Sequence, residues 1–131
     1  MKLIYYADDD IDDLTIFKDA IESTEYQVVV FFSGEALLES LRESEQKPDI
    51  IFLDIYMPLQ YGDEILVQIR KEEQYNSIPV VLVTGSLVEN QIDKYLADGA
   101  NYLMEKESSL IKFRDVLNNI LKIDWSTFKW N

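Results

Sequence analysis

Histidine and cysteine are both missing from this 131-residue chain. Without cysteine there are no disulfides, no thiolate metal sites and no cysteine nucleophiles. Without histidine there is no imidazole base, no serine–histidine triad, no common zinc site and no phosphohistidine on the chain itself. Positive charge is scarce as well: 12 Lys and Arg stand against 25 Asp and Glu, a net charge of −13. Phosphate contacts need clustered Lys and Arg, so direct binding to nucleic acid or an anionic membrane surface is not expected. No apolar run approaches the roughly 20 residues of a membrane helix. Met1-Lys2 leads through a handful of apolar residues into an acid cluster, which is no signal peptide. The expected compartment is therefore the cytoplasm. What survives is chemistry done by carboxylates, hydroxyls, lysine and a hard metal ion.

What is present is enough for a core. Apolar residues make up 47% of the chain and aromatic ones 12%, and the length fits one compact domain. Five short runs rich in β-branched and aromatic residues recur, Leu3 to Ala7, Gln27 to Phe32, Ile50 to Asp54, Val80 to Thr84 and Asn101 to Glu105. The segments between them and after the last are helical in period. Ile11, Leu14, Phe17 and Ile21 recur every three to four residues, and Leu37, Leu38 and Leu41 keep the same spacing. So do Ile65, Leu66 and Ile69, then Val88, Ile92 and Tyr95, then Leu110, Phe113, Leu117 and Ile120.

Punctuation agrees. Ser86-Leu-Val-Glu89 reads as a capping box opening the fourth helix, and Gly99 stands where a helix-ending glycine belongs. Ser33, and Ser108 or Ser109, suit the N-caps of the second and fifth helices. Pro48 and Pro79 stand just before strands, and Pro58 follows one.

Strand and helix thus alternate five times. Near-continuous apolar strands mark a parallel sheet covered on both faces. The expected fold is α/β, a flavodoxin-like (βα)5 three-layer sandwich whose five parallel strands run in the order 2-1-3-4-5. Residues 1–122 form this domain, and 123–131 a short tail carrying Trp125, Phe128 and Trp130, with no room for an output domain. The tail aromatics are expected to pack back on the domain.

In such sheets ligands bind at the carboxyl ends of the strands. Here the first strand ends in Asp8-Asp9-Asp10, the third in Asp54, the fourth in Thr84 and the fifth in Lys106. Converging carboxylates raise one another's pKa unless something neutralises them, and Mg²⁺, an oxygen-seeking dication, answers that need. The set looks built to receive a phosphoryl group, with Asp54 as nucleophile, Thr84 as donor and Lys106 as counter-charge. Asp10, Asp12 and Asp13 are expected to be helix-start charges on a wet face. Asp8, Asp10 and Asp12 imitate the start of an EF-hand. Asp13 holds the place of its glycine, however, and Asp19 that of its bidentate glutamate, so a calcium loop is rejected. Tyr56, Tyr61 and Tyr75 read as surface or rim aromatics.

Ala7-Asp8-Asp9, Asp54-Ile-Tyr-Met57-Pro58 with Gly62, Val83-Thr84-Gly85, Gly99-Ala100 and Lys106 stand in order at the strand ends. In this the chain resembles the response-regulator receiver domains (CheY-like) of two-component signal transduction, over roughly residues 2 to 122. The resemblance implies a stand-alone response regulator, of the kind that serves in a phosphorelay, that is not an enzyme beyond its own phosphoryl transfer and dephosphorylation. It implies Asp54 as the phosphoacceptor, an aspartyl phosphate formed from the phosphohistidine of a sensor histidine kinase or phosphotransfer protein. Mg²⁺ would be held by Asp9, Asp54 and the backbone carbonyl of Tyr56, with Asp8 acting through water. Thr84 and Lys106 would engage the phosphoryl group, whose added charge shifts a two-state element around the fourth helix and fifth strand. Output would pass to a downstream protein, and homodimers would form through the face of the fourth helix, fifth strand and fifth helix.

Departures from the family pattern stand beside these. Glu107 replaces the proline that usually follows the lysine and could compete for Lys106. Leu103 replaces the switch aromatic, with Tyr102 one step earlier. Tyr56 and Ser86, two residues past Asp54 and Thr84, occupy positions that tune phosphoryl lifetime, and Tyr56 is expected to shield the acyl phosphate. Alternative readings are a Mg²⁺-dependent phosphatase or phosphotransferase, or a degenerate receiver that is not phosphorylated. The haloacid-dehalogenase pattern, however, needs a second Asp as general acid where this chain has Tyr56. A flavin carrier is weaker still, since Asp8-Asp9-Asp10 would repel the flavin phosphate.

Overall fold

A computed structural model describes residues 2–21, 25–57, 59–107 and 109–125. Phe128 and Trp130 of the tail, Pro58 and Ser108 lie outside the described residues. Strands β1 (Lys2–Ala7), β2 (Tyr26–Phe31), β3 (Ile50–Asp54), β4 (Val80–Thr84) and β5 (Tyr102–Glu105) form one sheet in the order β2-β1-β3-β4-β5. Every pairing is parallel. Helices α1 (Ile11–Ala20), α2 (Gly34–Glu43), α3 (Gly62–Arg70), α4 (Glu89–Asp98) and α5 (Leu110–Leu121) supply the crossovers. The expected strand boundaries hold to within a residue, with Phe32 and Asn101 falling just outside β2 and β5. Among the described residues no helix is long and apolar enough to cross a membrane.

The two-residue period of a strand sorts its side chains between two cores. Leu3, Tyr5 and Ala7 of β1 face α2 and α3, joined by Leu53, Leu82 and Tyr95. Ile4 and Tyr6 face α1 and α5, joined by Phe52, Val81, Val83, Met104, Phe17, Phe113 and Leu117. The same alternation, continued past the strand ends, puts Asp8, Asp54 and Lys106 on the α1/α5 side and Thr84 on the other. Trp125 packs on this second core, edge-on to Tyr102 at 6.4 Å.

Ser33 and Ser109 cap α2 and α5 by accepting from the Ala36 and Lys112 amides, and Gly99 ends α4 in a left-handed turn (φ 112°). The predicted capping box does not form. Helix α4 starts at Glu89 with Val88 as its cap, and the Ser86 amide instead donates to Thr84 Oγ1 at 3.3 Å. A strand-end hydroxyl two residues back competes better for that amide than the helix does. Tyr75, expected at the rim, is buried because the turn at Glu73–Tyr75 folds it into the α2/α3 core.

Candidate functional site

Ladder hydrogen bonds run one residue beyond the strands and hold the site's backbone. Asp8 N–H donates to Phe31 O (3.0 Å), Ile55 N–H to Val83 O (2.9 Å) and Lys106 N–H to Thr84 O (2.8 Å). The chain then turns back sharply after β3. Leu59 takes a left-handed backbone (φ 73°), and Gly62 N–H donates to Ile55 O at 2.8 Å. Gly62 is needed here, since a Cβ at that position would overlap the backbone carbonyl of Asp54.

This frame brings one carboxylate oxygen each of Asp8, Asp9 and Asp54 within 4.8 Å of one another. Asp8 and Asp54 are buried and Asp9 is exposed. Lys106 reaches in from β5, with Nζ 3.0 Å from Asp8 Oδ2 and 3.6 Å from Asp54 Oδ2. Its shortest contact, 2.6 Å, is with Asp13 Oδ2. Asp13 therefore belongs to the site rather than to a wet face: one turn into α1, it is drawn in by the ammonium. Asp10 keeps the expected role and caps α1, accepting from the Asp12 and Asp13 amides. Asp8, Asp13 and Asp54 are the carboxylates paired with Lys106, and Glu107 is not among them.

Thr84 stands at the end of β4, buried, but its hydroxyl turns into its own loop and donates to Ser86 O at 3.2 Å. The Tyr56 side chain is 53% exposed and meets Tyr61 edge-on at 6.2 Å. Two features escaped sequence reasoning. Tyr6, fully buried, donates its hydroxyl to Asp8 Oδ2 at 2.5 Å. Glu105 Oε1 accepts from the Leu87 amide at 2.8 Å, tying the β4–α4 loop to β5. The signal for Tyr6 was its two-residue offset from Asp8, which puts both on one sheet face.

Charge in the site is unbalanced. Burial and the neighbouring charge of Asp8 push Asp54 from 3.8 up to about 7, against the pull of Lys106 and a backbone hydrogen bond from Tyr56. Burial draws Lys106 down, yet its hydrogen bonds to Asp13 and Asp8 outweigh this and hold it above the ordinary lysine range. Burial and the Asp8 charge likewise keep Tyr6 protonated. One ammonium does not neutralise this group of carboxylates. An all-oxygen donor set of this kind fits a small hard dication.

Comparison with known proteins points the same way. The family described as response regulator receiver domain matches residues 4–118. A hybrid signal transduction histidine kinase D of Dictyostelium discoideum is 33% identical over 108 residues, which cover 82% of this chain and 7% of that one. The polar-differentiation response regulator DivK of Brucella ovis is 26% identical over 120 residues, covering 92% and 96% of the two chains. The crystal structure of the phosphorylated cyanobacterial phytochrome response regulator RcpA superposes with a TM-score of 0.85 at 25% identity, over 98% of this chain and 96% of that one.

Proposed function

This chain belongs to the response regulator receiver domain family, and from that premise we propose that it is a cytoplasmic signalling receiver switched by phosphorylation of Asp54. Receiver domains are signalling modules of two-component systems, served by histidine kinases or phosphotransfer proteins and read by downstream effectors. The observation that carries the reading is the cluster of Asp8, Asp9 and Asp54 at the carboxyl edge of the sheet, with the Lys106 ammonium reaching Asp8 and Asp54.

In the proposed step an Asp54 carboxylate oxygen attacks the phosphorus of a partner's phosphohistidine. The P–N bond breaks as the P–O bond forms, and the imidazole leaves and takes up a proton. Asp9, Asp54 and the Tyr56 carbonyl would hold Mg²⁺. Asp8 would act through water, which suits a carboxylate whose oxygens already accept from Tyr6, Lys106 and the Asp10 amide. When bound, the dication supplies the positive charge that the carboxylates lack. Lys106 pairs with the transferred group, and Thr84 reaches it by giving up its bond to Ser86.

Output is proposed to pass through the face of α4, β5 and α5, which would also serve a homodimer. Val88 at the cap of α4 and Leu110 and Ile111 in the first turn of α5 are exposed. Turnover as a phosphatase is disfavoured, because the residue two past Asp54 is Tyr56, leaning on Tyr61 rather than offering an acid.

Incubation with Mg²⁺ and acetyl phosphate is expected to add one phosphoryl mass, lost in Asp54→Asn. Release of phosphate over many turnovers would favour the enzyme. No labelling, with the acids intact, would make this a degenerate receiver.

A further inference from the structure

Tyr6 is the least expected neighbour of the site. Its ring lies in the α1/α5 core against Phe17 (centroids 4.2 Å apart) and edge-on to Phe52 (6.5 Å), and Phe17 is itself locked edge-on by Phe52 and Phe113. A buried strand residue packed against two phenylalanines, one of them braced by a third, has little rotamer freedom, so its hydroxyl is held in place. That hydroxyl donates to Asp8 Oδ2. The other side-chain donor to the same oxygen, Lys106 Nζ at 3.0 Å, is shared with Asp13 and lies near Asp54. Lys106 is thus a partner shared among three carboxylates, and the Tyr6 hydroxyl is the one given to Asp8 alone. Asp8 has no exposed surface, so Tyr6 supplies this donor from within the core.

We propose that Tyr6 is a positioning residue for the cation site: its hydroxyl, anchored by the aromatic core, fixes the orientation of the Asp8 carboxylate beside Asp9 and Asp54. This rests on the reading of Asp8, Asp9 and Asp54 as a divalent-cation site. Partners that orient the oxygens around a bound metal commonly carry ten- to a hundredfold of its affinity. The effect here belongs at the lower end, because Lys106 and the Asp10 amide continue to hold Asp8.

The test is Tyr6→Phe, which keeps the ring and removes the donor. Mg²⁺ binding to the full chain, read by calorimetry and by Mn²⁺ competition in electron paramagnetic resonance, is expected to weaken by about tenfold. Labelling by acetyl phosphate should need correspondingly more Mg²⁺ for half-maximal rate, yet reach a wild-type rate at saturation. Phe17→Leu, which loosens the ring but keeps the hydroxyl, should shift the half-saturation less and in the same direction. A half-saturation within twofold of wild type in a folded Tyr6→Phe protein overturns the proposal, leaving Tyr6 a structural hydrogen bond. Wild-type protein that binds no Mg²⁺ at all overturns the cation site itself, an outcome read in the wild-type arm alone.

Discussion

Lys106 Nζ stands 2.6 Å from Asp13 Oδ2 but 3.6 Å from Asp54 Oδ2, so the ammonium of the site leans toward α1 and away from the proposed phosphoacceptor. The Asp13 side chain keeps 31% of its surface exposed, which leaves the pair screened and worth no more than about 1 kcal/mol. An ammonium held by a pair of that modest worth is one that a phosphoryl group, with its larger charge, can take over.

Asp13→Asn should therefore release Lys106 toward Asp54. Labelling by acetyl phosphate at fixed Mg²⁺ is expected to quicken by roughly two- to fivefold, the equivalent of a surface-grade ion pair. A slower rate would mean that Asp13 helps to place Lys106 instead of detaining it.

Asp54 makes the protein without Mg²⁺ pH-sensitive in a definite direction. Its carboxyl ionises at about 7 in the fold and at 3.8 as an unperturbed group. Below the lower value both states hold the proton and nothing is lost. As pH rises through the window the unfolded chain ionises first, so stability falls until the folded carboxyl ionises too. Asp54→Asn, which never ionises, should gain little near pH 4 and about 4 kcal/mol by pH 8 in urea unfolding without Mg²⁺. Added Mg²⁺ should stabilise the wild type and leave the variant nearly unmoved. Equal stabilities at pH 8 would contradict the buried charge.

How far the fold and site were legible follows from which forces leave a mark in sequence. A sheet covered on both faces demands unbroken apolar strands, so strand ends, sheet order and the acids at the edge could be read from Ile50 to Asp54 and from Val80 to Thr84. Choices between local partners left no such mark. The Ser86 amide bonds Thr84 instead of capping α4, and Asp13 bonds Lys106 instead of water. Both depend on distances that only the packed loops set. Tyr6 read as one more apolar strand residue because its ring is one; its hydroxyl acquires meaning from Asp8.

Tyr56 is expected to protect the acyl phosphate in part, since it stands two residues past Asp54 with its bulky ring exposed and steadied by Tyr61. Tyr56→Ala should shorten the half-life of the phosphorylated protein severalfold at fixed pH and Mg²⁺. An unchanged half-life would remove the shielding role.

Arg70 offers a control from the opposite edge of the sheet. Its guanidinium, buried enough for burial to lower its pKa, donates to the carbonyls of Gly99 (3.0 Å), Tyr75 (3.1 Å) and Ile78 (2.9 Å) and to Asn101 Oδ1 (2.7 Å). Arg70→Ala leaves these acceptors short of a donor and should cost about 3 kcal/mol in urea unfolding. Arg70→Lys should recover less than half, because an ammonium lacks the planar fork. Neither should move the Mg²⁺ half-saturation, and a shift in it would mean that the two edges are coupled.

The last prediction concerns how the signal leaves the site. Leu103 holds the place of the family's switch aromatic, and Tyr102, the nearest candidate to stand in, is engaged by Trp125 on the α1/α5 side. The β4–α4 loop is instead tied to β5 through a carboxylate, Glu105 Oε1 accepting from Leu87 N–H at 2.8 Å. If Thr84 turns toward a phosphoryl group it abandons Ser86, and Glu105 decides whether the loop follows as a unit or frays. Glu105→Ala removes one hydrogen bond to a charged acceptor, worth about 1.5 kcal/mol, so exchange of the Leu87 amide in unphosphorylated protein should rise by roughly tenfold. The change in loop exchange on phosphorylation should shrink with it, since a loop already loose has less to lose. Exchange as slow as in wild type would show that packing under α4, and not this carboxylate, holds the loop.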